Sequence, residues 1–122
     1  MSKAVEYHKK GYNCAESVIK AVNDIKQQQI PVALGSPFGS GMGVGATCGA
    51  ITGAMIAIGA MIGRDGADQH NEARACGRIL MNKVKDAYGT YECRELKKQG
   101  VSCDEIIAFT EELLAKKGII NR

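Results

Sequence analysis

The chain has no tryptophan and only two phenylalanines. Its core must be built from Ala, Ile, Leu, Val and Met, a palette that favours close helix packing over a β-sandwich. It also lacks a dominant charge. Sixteen basic and 13 acidic residues are mixed along 122 positions, for a net charge of +3. That balance is too weak and too dispersed to serve as a nucleic-acid footprint. Met1 to Lys10 is polar, with no apolar h-region, so no secretory leader is expected and the protein is assigned to the cytoplasm. The candidate for a span is the uncharged, apolar run Cys48 to Ile62, which has 15 residues. As a helix it reaches about 22 Å, short of the roughly 30 Å of a bilayer core. A core helix is therefore expected rather than a membrane span. Five cysteines are present, yet none form a CxxC pair. With no leader, structural disulfides are not expected.

What is present points to one helical domain over residues 1–122. The expected fold class is all-α: a compact domain of about five to six helices around a central, buried Gly/Ala-rich helix. That helix is the run from Cys48 to Ile62, fed by a loop with glycine at positions 39, 41, 43 and 45. Gly49 and Gly53 lie four apart on one face, with Gly45 extending the row. Gly59 and Gly63 repeat the spacing. Small residues so placed let another backbone approach closely. The same rows make a homodimer an open reading. Gly41, Gly43 and Ala46 fit a GxGxxA pattern, but no hydrophobic strand precedes it and no Walker-type sequence occurs, so nucleotide binding is set aside.

Local signals place the remaining helices. Lys3 to Lys10 forms a short one ended by Gly11. Asn13 and Glu16 make a capping box for a helix running to about Gln28, with Ala15, Val18, Ile19 and Val22 on its inner face. A short helical turn over Val32 to Leu34 is stopped by Pro37. Thr47 is the expected N-cap of the central helix. Asp68 is the expected N-cap of a helix to about Ala87, with Ala73, Cys76, Gly77, Leu80 and Val84 facing inward. Thr90 opens a short helix. Ser102 and Glu105 box the last one, whose amphipathic body includes Ile106, Ile107, Thr110 and Leu114. Lys116 and Lys117 close it, with Gly118 as the stop. His8 and His70 fall among polar neighbours and read as exposed residues.

On these boundaries four cysteines share one placement. Cys14, Cys48 and Cys103 each follow a cap residue directly, and Cys93 falls in a first turn. A helix start offers unpaired N–H groups and the positive end of the dipole. That environment stabilises a thiolate, the form that ligates metal or exchanges disulfides. Cys76, mid-helix among core positions, reads as a buried structural residue. The spacings match no ferredoxin or zinc-finger pattern, so they name no metal. They only permit four thiols gathered by tertiary packing.

The segments Asn13-Cys14-Ala15-Glu16, Cys48-Gly49-Ala50-Ile51-Thr52-Gly53 and Cys93-Arg94-Glu95-Leu96, with Cys103, together resemble the C_GCAxxG_C_C family of redox-active proteins. CGAxxG is the most specific part. The resemblance implies a small helical protein in which Cys14, Cys48, Cys93 and Cys103 form a common set. An iron–sulfur site has been proposed for a related domain of split-Soret-type cytochromes, so the resemblance implies an iron–sulfur cluster, for instance [2Fe–2S], as a candidate cofactor for electron transfer with a redox partner. It implies no haem, since the chain has no CxxCH. Two alternatives stay open: thiol–disulfide chemistry on Cys93 and Cys103, which enclose a short ring, and a zinc-stapled, non-catalytic interaction protein. No base, nucleophile and orienting group are placed together, so no enzyme activity is assigned.

Overall fold

The structure is a computed structural model that describes residues 2–115. It is all-α, with six α-helices among the described residues: α1 Lys3–Lys9, α2 Cys14–Lys26, α3 Gly49–Ile62, α4 Glu72–Tyr88, α5 Cys93–Lys98 and α6 Cys103–Ala115. Among the described residues the only β pairing is a single antiparallel bridge between Thr47 and Glu92. The expected closing residues Lys116, Lys117 and Gly118 lie outside the described residues.

The core forms where α2 and α3 face each other, with α1 and α6 closing over α2 and α4 packing on α3. The inner row of α2 (Ala15, Val18, Ile19 and Val22) is buried as its spacing requires. On α3, Ala50, Ile51, Ala54, Ala57 and Ile58 are fully or almost fully buried. Gly59 and Ala60 near its far end are exposed, and Thr52, Met55, Ile56 and Met61 are half-buried. From α6 come Ile106, Ile107, Thr110 and Leu114. Buried Thr110 satisfies its hydroxyl by donating to the Ile106 carbonyl at 2.8 Å. Gly77, Leu80 and Val84 bury α4. No helix among the described residues is long and apolar enough to cross a membrane.

Several boundaries differ from expectation, each for a local reason. The segment after α2 is a 3-10 helix over Val32–Phe38 that carries Pro37 within it. Its tight turns leave fewer ring clashes than an α-helix, so Pro37 is accommodated near its end. α4 starts later than Asp68: Asn71 is the N-cap, its side chain accepting from Arg74 N–H at 3.1 Å. Cys76 is half-buried against the core rather than enclosed by it. α2 ends at Lys26, where Gln27 turns left-handed.

The glycine spacing is used at one end of α3 and not at the other. A Cβ on Gly53 would stand 2.7 Å from both the Cα and the carbonyl oxygen of Ala15. One on Gly49 would stand 2.9 Å from the Phe38 carbonyl and 3.1 Å from Cys14 Cβ. These two positions let α3 rest directly on the first turn of α2. Gly45 does not extend the row; it lies in the loop, left-handed, against the Arg94 side chain. Gly59 faces open space.

Candidate functional site

Each of the four cysteines is fixed by the way its helix begins. At α2 the capping box is complete: Asn13 Oδ1 accepts from Glu16 N–H at 2.8 Å, and Glu16 Oε1 accepts from Asn13 N–H at 2.9 Å. Asn13 also donates through Nδ2 to the Ser36 carbonyl at 3.1 Å, and Ser36 Oγ donates to Glu16 Oε2 at 2.7 Å. Cys14, the first residue of α2, is thus anchored on two sides. At α6, Ser102 Oγ accepts from Glu105 N–H at 3.0 Å, leaving Cys103 as the first helical residue. The Glu105 carboxylate instead accepts from the Tyr88 hydroxyl.

The other two helix starts depart from the expected caps. Cys48 is itself the N-cap of α3, and Thr47 is one residue outside, paired with Glu92. Glu92, not Thr90, occupies the cap position of α5, and Thr90 Oγ1 accepts from its N–H. The bridge explains both shifts. Cys48 N–H donates to the Tyr91 carbonyl at 2.8 Å, and Cys93 N–H donates to the Ala46 carbonyl at 2.7 Å. Two cysteines far apart in sequence are thereby joined through their own backbones.

The glycine loop closes round this pair. Gly41 has φ of +61°, and a Cβ there would stand 2.5 Å from the Ala46 carbonyl oxygen and 2.9 Å from Cys93 Cβ. Neither the backbone angle nor the space admits a side chain. Arg94 reaches back to donate to the Val44 carbonyl at 3.0 Å. Loop and α5 are therefore held against each other where Cys93 begins.

The consequence is one cavity of about 120 Å³ lined by Cys14, Cys48, Cys93 and Cys103, with His8 and Lys97. All four cysteines singled out by their position in the sequence meet there; Cys76 does not line it. They are thiols, and Cys14, Cys48 and Cys93 are buried. His8 is the member that sequence reasoning missed. It is half-buried, not exposed, with its Nδ1 3.0 Å from Asp104 Oδ1. One signal for it existed: His8 falls four and three residues after Ala4 and Val5, the buried face of α1. His70 is exposed, as expected.

Electrostatics in the cavity run against the simple helix-dipole expectation. Burial, followed by the neighbouring thiols of Cys103, Cys48 and Cys93, pushes Cys14 up to about 12. Burial also raises Cys48. The N–H groups of Ala50 and Ile51 oppose this, although the sulfur makes no regular capping hydrogen bond. Desolvation and mutual repulsion therefore outweigh the helix starts at both residues. Thiols crowded in this way lose their protons most readily to an incoming cation.

Among the described residues, one group of three donors has its ligand atoms all within 4.8 Å of one another: His8, Cys14 and Cys103. This group could hold a metal ion. Nitrogen and sulfur donors of this kind suit zinc and iron rather than the hard cations. Cys48 and Cys93 line the same cavity outside that triplet. Cys103 is thus brought together with Cys14, from the opposite end of the chain.

An all-α domain with a cysteine-lined cavity at the meeting point of four helix starts defines the class as a small cysteine-centred protein. The chain belongs to the C_GCAxxG_C_C family, described as "Putative redox-active protein (C_GCAxxG_C_C)", which it matches over residues 12–117. No curated protein and no solved structure matches it.

Proposed function

We propose that the protein is an electron-transfer protein in which Cys14, Cys48, Cys93 and Cys103 hold an iron–sulfur cluster, with [2Fe–2S] as the first candidate. The observation that carries this reading is the convergence of those four cysteines on one cavity. The donor set fits the group, since such clusters are held by four cysteine thiolates. When bound, the cluster supplies one-electron transfer to an external redox partner. The chain's part is to gather the ligands, exclude water and offset their charge. Lys97 at the cavity and the dipoles of the helices that begin there serve the last purpose. A centre ligated by cysteine thiolates would suit a reducing compartment such as the cytoplasm.

The test is electron paramagnetic resonance on protein isolated without oxygen and then reduced. A low-temperature signal from a one-electron-reduced cluster, lost in Cys14→Ser and Cys93→Ser, supports the reading. Silence in both oxidation states, together with a featureless visible spectrum, would sink it.

A second reading, a structural zinc site, has an observation of its own in the His8, Cys14 and Cys103 group. Stoichiometric zinc without iron after native isolation would favour it. Thiol–disulfide chemistry is the third: Cys93 and Cys103 are suggested by their short ring, and Cys14 and Cys103 by their proximity. Thiol counting across a range of redox buffers decides that reading.

A further inference from the structure

His8 stands at the end of α1, and Asp104 stands in the first turn of α6. The two helices are pinned together by Ala4 N–H, which donates to Glu111 Oε1 at 2.8 Å, and by buried Ala4 and Val5. The His8 side chain is 29% exposed. A ring nitrogen lies within 4.8 Å of the sulfurs of both Cys14 and Cys103. Tetrahedral zinc with bonds near 2.3 Å to sulfur and 2.0 Å to nitrogen sets its donors about 3.5–3.8 Å apart, so small side-chain rotations close the group. Nδ1 faces Asp104 Oδ1 at 3.0 Å. An ionised carboxylate only accepts, so Nδ1 carries the hydrogen and donates it, which makes Nε2 the nitrogen that can offer a lone pair to a metal. A ligating histidine held by a carboxylate through its other nitrogen is the usual support for a metal-bound imidazole.

We propose that His8 is a fifth donor of this centre, binding a borderline-soft divalent cation through Nε2 beside Cys14 and Cys103, with Asp104 as its positioning residue. The proposal deepens the metal-site reading and rests on the shared cavity, not on the metal being an iron–sulfur cluster. Nothing in the C_GCAxxG_C_C pattern names a histidine. Asp104 is not itself a ligand in this arrangement; its part is to fix the tautomer and direction of the ring.

The test uses the full chain, reduced and metal-free, titrated with Zn²⁺ and separately with Co²⁺. The sequence has two histidines. With ¹⁵N-labelled histidine, His8 is therefore read against His70 as an exposed internal control. The expected result is a large shift of His8 Nε2 on Zn²⁺ binding, with His70 unmoved. Co²⁺ affinity should fall by about tenfold or more in Asp104→Asn, the usual size for loss of an outer partner, and by more than that in His8→Ala. His8→Cys should recover Co²⁺ binding and add thiolate-to-cobalt absorption. An unshifted His8 in wild-type protein with Zn²⁺ bound overturns the proposal, whether or not the variants fold. Iron and sulfide analysis reports separately on the cluster. A cluster present with His8 unmoved removes the histidine ligand alone; Zn²⁺ bound through His8 in a chain isolated without iron or sulfide removes the cluster alone.

Discussion

Cys48 shows how much one residue carries here. It caps α3, donates its N–H across the bridge to Tyr91, and turns its sulfur toward a cavity shared with three other thiols. Cys48→Ser keeps the cap, since serine is among the preferred N-cap residues. The fold should therefore survive while metal content and the reactivity of the remaining thiols change. Unchanged values for both would make α3 only core. Cys14 supplies a pH dependence for the reduced, metal-free chain. Its folded pKa, about 12, lies above the ordinary 9.0. Above pH 9 the unfolded chain releases a proton that the fold retains, so this contribution to stability is full below pH 9 and falls as pH rises toward 12. Urea midpoints measured at pH 8 and pH 10.5 should drop more steeply in wild type than in Cys14→Ser. At this scale the sequence was legible wherever the deciding bond spans three residues, as with Asn13 to Glu16 and Ser102 to Glu105. His8 was not, because its partners Cys14, Cys103 and Asp104 come from other helices.

Among the elements, α3 carries glycines of two kinds: Gly49 and Gly53 lie against backbone from outside the helix, whereas Gly59 meets nothing. Gly53→Ala drives a methyl into the Ala15 backbone, which cannot rotate away. A cost of about 1–3 kcal/mol is expected, as for other overpacked sites. Displacement of Cys14, next to Ala15, should also weaken metal binding. Gly59→Ala meets open space inside a helix. It should stabilise by about 0.4–1 kcal/mol, through the loss of freedom in the unfolded chain. Thermal or urea unfolding of the pair gives opposite signs if the division is right, and equal signs if it is wrong. The Gly59 substitution also probes self-pairing: a homodimer built on that face should weaken, as read by sedimentation. The helices themselves were readable from apolar spacing, as in Ala15, Val18, Ile19 and Val22. The bridge between Thr47 and Glu92 was not. Two isolated residues carry no strand periodicity, yet their pairing moved the caps of both α3 and α5 by a residue or more.

For the whole molecule, the fold acts as a device that gathers sequence-distant cysteines. α2 and α3 meet closely because Gly49 and Gly53 lack side chains, α5 is tied to the start of α3 by the bridge, and α6 lies on α1 and α2. Sequence placed four thiols at helix starts but could not say that the starts converge, since convergence depends on the order in which helices pack. It also gave the wrong sign for two of the thiols. Desolvation is a property of the assembled cavity, not of one helix. The same cavity predicts that metal and fold are linked: a ligand bound only by the native state stabilises it by mass action. Chelation or oxidation of the site should lower the melting temperature, and the loss should be absent in a double variant lacking Cys14 and Cys93.

The most direct measurement is iron and acid-labile sulfide per chain in protein isolated and handled without oxygen. Stoichiometric iron matched by sulfide, in a coloured sample, is the expected result, with both lost when Cys48 is replaced by serine. A colourless protein holding neither iron nor sulfide under those conditions would contradict the assignment of the four-cysteine cavity as an iron–sulfur centre.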